Sequence, residues 1–133
     1  GYKLLKTIRG SPAYWQSLFL DVLAMARQLG PATWFLTLSA ADLQWPEVLI
    51  SIAKQFGENF TEDDIKAMSW EKRCQILGRN PVTAARMFHY RLETFFRLAI
   101  RKWKILGNVS EYVIRIEFQA QGSPHAHCLQ MLI

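Results

Sequence analysis

His125 and His127 stand one residue apart in "GSPHAHCLQMLI", the spacing that a β-strand turns to one face, and two imidazoles on one face can aim ring nitrogens at one ion. Ala126 between them points the other way. Upstream, Tyr112, Ile114, Ile116 and Phe118 alternate with Val113, Arg115, Glu117 and Gln119, so an apolar face backs a mainly polar one. "AQGSP" supplies turn residues, and a hairpin folded symmetrically about Gln121 sets Glu117 directly across from His125. Such neighbours hold their Cβ atoms about 4.5–5.5 Å apart, and a one-residue slip would turn Glu117 to the wrong face. His125, His127 and Glu117, with Gln119 as a substitute oxygen donor, form a mixed set suited to Mg²⁺ or Mn²⁺ in phosphoryl transfer; Zn²⁺ fits less well. Strand histidines hydrogen-bonded to neighbours or water would give the same spacing, and the residues alone leave both readings open.

A zinc enzyme is the weakest alternative. No third histidine or cysteine has suitable spacing: His89 is isolated on a helix, and Cys128 alternates to the other strand face. Cys74 and Cys128 lack a CxxC spacing and read as reduced thiols in an intracellular compartment.

Several elements must position that hairpin. Ser11 and Pro12 open a helix that Gly30-Pro31 ends, and Trp15, Leu18, Phe19, Val22, Leu23, Ala26 and Leu29 describe one buried face. "TWFLTLS", Thr33 to Ser39, reads as a buried strand. "PEVLISIAKQFG", "TEDDIKAM" and "SWEKRCQIL" read as short helices, the second with a capping box weakened by Asp64 in place of Glu. A long helix is expected from about Pro81 to Ile105, capped by Asn80 and stopped by Gly107. Ala85, Phe88, Leu92, Phe95, Phe96, Ala99 and Trp103 form its apolar side, and Arg86, Tyr90, Arg97, Arg101 and Lys104 gather opposite. The order is that of an α+β sandwich with an antiparallel sheet.

The 133 residues suit one domain, half of them are apolar, and no stretch approaches the roughly 20 apolar residues a membrane span needs. A formal net charge of +5 favours polyanionic partners. Gly1 at the start, with no secretory signal after it, is expected of a cut inside a longer protein.

"GSPAYWQSLFLDVLAMARQLG", "WFLTLSAADLQWPEV", "NPVTAARMFHYRLETFF" and "YVIRIEFQAQGSPHAH", in that order, resemble the Helitron-like N-terminal domain. That domain is the replication-initiator nuclease portion of rolling-circle transposases and is more distantly similar to other His-hydrophobic-His endonucleases. The resemblance covers essentially the whole chain and implies a ferredoxin-like or RRM-like sheet with a divalent cation on His125, His127 and the acidic position Glu117. It implies single-stranded DNA cleavage and strand transfer: a tyrosine attacks the scissile phosphate, leaving a 5′-phosphotyrosine and a free 3′-hydroxyl. It also implies a covalently linked helicase domain, a nuclear location, and a nucleophile on a helix downstream of Ile133. Residues 1–133 would then be a single partial domain, incomplete at its C-terminus, while Tyr2, Tyr14, Tyr90 and Tyr112 read as structural, with Tyr90 on the basic helix face the one kept open as an exception. Arg86, Arg97, Arg101 and Lys104 would meet phosphates and Trp45 a base, although a solvated helix face and packing of Trp45 against Pro46 explain the same residues. A degenerate or domesticated domain that binds nucleic acid or protein without chemistry is the alternative function.

Overall fold

The structure, a computed structural model, describes residues 5–118 and 123–132. Gln119 and Gln121 lie outside the described residues, as does Tyr2. Helix α1, Pro12–Leu29, begins as its sequence predicts, with the Ser11 hydroxyl accepting from the Tyr14 N–H at 3.1 Å and Pro12 in the first turn. The buried face expected of it is not formed. Of its residues only Ala13 is buried, while Trp15, Leu18, Phe19 and Leu29 are exposed. The periodicity is real, but among the described residues no helix or strand packs broadly against that stripe.

Strand β1, Trp34–Ser39, also departs from expectation. It lies at one edge of a three-stranded antiparallel sheet of order β1-β3-β2, where Leu36 and Leu38 pack half-buried against the core and Trp34, on the same face, stays exposed. After a 3₁₀ turn at Asp42–Gln44 come α2 (Pro46–Gln55), α3 (Glu62–Ala67) and α4 (Trp70–Arg79), each where the sequence places it. Their caps explain the boundaries: Thr61 accepts from the Asp64 N–H while the Asp64 carboxylate accepts from the Thr61 N–H at 2.7 Å, so the shorter Asp completes the box. These helices enclose one core of Val48, Leu49, Ile52, Ala53, Ile65 and Ile76, with Ala84 from the next helix. Each fully buried aliphatic side chain there contributes roughly 1.5–3 kcal/mol.

Helix α5, Pro81–Phe95, runs into a π-helical segment, Phe96–Lys102, rather than continuing as one α-helix to Ile105. Phe88, Leu92, Phe96 and Ile100 pack against Ala126 and Cys128 to form the second core. The widened turns, bonded i to i+5, rephase the side chains, so Ile100 faces the sheet and Trp103, expected inside, is 64% exposed.

Strands β2 (Val109–Phe118) and β3 (Pro124–Leu132) make the C-terminal hairpin, with β3 at the centre of the sheet. The α+β class and the antiparallel sheet with its helical cover are as the sequence predicts.

Candidate metal centre and nucleic-acid interface

Register decides what the hairpin brings together. Glu117 pairs with His125 and Arg115 with His127, while on the other side of β3 Thr37 pairs with His127 and Ser39 with His125. All six side chains therefore lie on the sheet face opposite the α5 core. The cross-strand placement of Glu117 beside His125 is the one derived from the symmetric turn. Within the cluster His127 Nε2 lies 3.5 Å from Glu117 Oε2, and Arg115 Nη2 lies 2.9 Å from Glu117 Oε1. Ser39 Oγ is 2.9 Å from His125 Nδ1, and Thr37 Oγ1 is 3.3 Å from His127 Nδ1. Each histidine thus has one ring nitrogen held by a hydroxyl from β1. Those hydroxyls, and the hold of Arg115 on Glu117, were missed in the sequence. The alternation of Thr37 and Ser39 in "FLTLS" is the signal that could have found them.

In donor chemistry, face and register, two imidazoles and a carboxylate fit a divalent cation. Among the described residues, however, no three His, Cys, Asp or Glu side chains stand close enough to hold one. The guanidinium of Arg115 occupies one oxygen of the Glu117 carboxylate, and His125 Nδ1 faces the Ser39 hydroxyl. Gln119 lies outside the described residues. Cys128 is fully buried on the opposite face, and burial pushes its thiol up to about 11, which makes a thiolate ligand costly.

The hairpin is tied down beside the cluster. Asp42 is buried, and its carboxylate accepts from the Leu43 N–H at 3.0 Å and from the Ser123 hydroxyl at 3.1 Å. The Ala40 N–H donates to the Pro124 carbonyl at 3.0 Å, so both bonds fix the chain entering β3 just before His125.

The basic residues expected to meet DNA lie elsewhere. Arg97 and Arg101 line a groove of about 650 Å³ between α5 and β2, floored by Leu92, Phe96, Ile114 and Ile116. Arg101 donates to the Tyr112 hydroxyl at 3.2 Å and covers its ring at 5.2 Å; Tyr90 stands exposed on the groove wall. Lys104 lines an adjoining recess with Asn108 and Ser110. Arg86 is exposed on the same helix but not part of this lining. The groove lies on the Tyr112, Ile114 and Ile116 face, so the β2 edge separates it from the histidines. Trp45 is half-buried where the two cores meet, with the Arg91 guanidinium 4.2 Å from its ring centroid, and packing accounts for it. His89 pairs with Glu93 at 3.1 Å on α5, apart from the His pair.

Fold and face together define an α+β domain that presents histidines, hydroxyls and a carboxylate on the open side of a small antiparallel sheet. The family model of the Helitron helicase-like domain at the N-terminus matches residues 2–130, and the chain belongs to that family. No curated protein and no solved structure matches the chain. Among the described residues no helix is long and apolar enough to cross a membrane.

Proposed function

We propose that this chain is the cation- and single-stranded-DNA-binding part of a rolling-circle transposase nuclease, which nicks and joins DNA through a tyrosine supplied downstream of Ile133. The observation that carries the reading is the register that aligns Glu117 with His125 and sets His127 Nε2 3.5 Å from the same carboxylate. A divalent ion, Mg²⁺ or Mn²⁺, would polarise a phosphoryl oxygen there and offset charge developing in the transition state. The chain's own residues do the rest: Ser39 and Thr37 orient the imidazoles, and Arg115 stands ready to bind a phosphate. Arg97, Arg101 and Lys104 add phosphate contacts behind the β2 edge. Tyr112 is packed on Phe96 and bound by Arg101, and Tyr90 faces the groove behind the sheet, which suits a nucleophile from another segment. A covalently linked helicase domain and a nuclear location belong to the same proposal.

Calorimetric titration with Mn²⁺ tests it. His125→Ala, His127→Ala and Glu117→Ala are each expected to weaken binding about tenfold or more. Unchanged affinity in all three sinks the site. The hold of Arg115 on Glu117 favours a second reading, a domain that binds nucleic acid without chemistry. In that case the chain retains a labelled single-stranded oligonucleotide with no dependence on Mn²⁺.

A further inference from the structure

The face that carries the histidines also carries an aromatic that the proposed chemistry leaves unused. Phe35 on β1 is 66% exposed, the most exposed large apolar side chain among the described residues. Burying such a ring is worth roughly 1.5–3 kcal/mol, which is the gain open to a ligand that covers it. Its ring is parallel to the His127 imidazole, with an interplanar angle of 6° and centroids 5.9 Å apart. On the far side of His127 is Arg115, whose guanidinium lies 5.6 Å from the Trp15 ring centroid. From β1 across to α1 the face therefore presents phenyl, imidazole, guanidinium and indole.

That sequence of groups selects the occupant. Leu129 stands directly across from Phe35 with Val113 beyond it, but toward the histidines this short apolar row ends at Thr37, His127 and Arg115, a smaller and more polar surround than an apolar protein partner asks for. A bare π-face beside a cation and hydroxyls matches one nucleotide: the base stacks and the adjoining phosphate meets the guanidinium. The geometry points to Phe35 as a stacking platform for one nucleobase of a single strand drawn across the His125–His127 face, an assignment that rests on the strand-binding reading above. Stacking is tolerant of base identity because every base has a π-face, so Phe35 sets the position of the strand rather than its sequence.

Fluorescence anisotropy of a short labelled oligodeoxynucleotide, titrated with the 133-residue chain, reads this directly. Phe35→Ala is expected to weaken binding about 5- to 150-fold, Phe35→Leu similarly, and Phe35→Trp to retain it. Circular dichroism checks that the variants are folded; because the side chain is exposed, truncation leaves both cores intact. An abasic scan then locates the base: at one position loss of the base reproduces the defect in the wild type and adds nothing in Phe35→Ala. The platform is overturned if the wild type binds the strand and Phe35→Ala and Phe35→Leu bind it equally well, or if the abasic and Phe35→Ala losses simply add. A wild type that binds no single strand overturns this inference and the strand-binding reading together, while the Mn²⁺ titration still reports on the cation site by itself.

Discussion

Thr37 and Ser39 suit histidines that, under the proposed function, would serve two states. A carboxylate can only accept a hydrogen bond, but a hydroxyl can donate or accept. With Glu117 beside its Nε2, the neutral His127 ring carries its proton there and takes a hydrogen bond from Thr37 at Nδ1. If Nε2 is to bind a cation, the proton belongs on Nδ1, and the same hydroxyl turns to accept it. Thr37→Val, which keeps the shape and removes the hydroxyl, is therefore expected to weaken Mn²⁺ binding about tenfold, and Thr37→Ser to leave it near wild type. Nitrogen-15 shifts of the metal-free imidazole should show the Nδ1 resonance moving in Thr37→Val as its hydrogen bond is lost, while the Nε2–H tautomer favoured by Glu117 is kept. Unaltered shifts and affinity would reduce the hydroxyl to a surface contact.

The elements succeed or fail by how locally they are specified. α2, α3 and α4 were legible because proline, hydroxyl caps and short apolar faces act within a few residues. The hairpin register was legible because turn and alternation together leave one solution, and Glu117 falls opposite His125 as derived. The open flank of α1, the edge position of β1 and the π segment after Phe95 were not, since each depends on what lies alongside in space. Asp42 belongs with these: "AADLQW" reads as an ordinary loop, yet its carboxylate joins that loop to Ser123 at the entry to β3. Asp42→Ala leaves the part-buried Leu43 N–H and Ser123 hydroxyl without their acceptor, a loss of about 1 kcal/mol or more. Chemical denaturation should show this as a lower midpoint with unchanged slope. A wild-type midpoint would mean that the Ala40 to Pro124 bond alone holds the strand entry.

At the scale of the molecule the two sets of candidate residues face different ways, and under the proposed function the charge distribution turns that into a measurable path. The histidines, Arg115 and Phe35 share the open face, whereas Arg97 and Lys104 lie behind the β2 edge. A flexible strand that uses both must wrap around that edge, and an aromatic and a cation then leave different signatures on binding. Each phosphate neutralised by a cation contributes about 0.7 to the slope of log K against log salt for a single strand, and stacking contributes almost nothing to it. Arg97→Ala and Lys104→Ala are each expected to flatten that slope by about 0.7, while Phe35→Ala lowers affinity with the slope retained. Arg101 is a poorer probe, because it also holds the Tyr112 ring and hydroxyl. If both cation variants keep the wild-type slope, the groove is off the path and the strand is confined to the histidine face. The net charge of +5 then acts through Arg115 and long-range attraction alone.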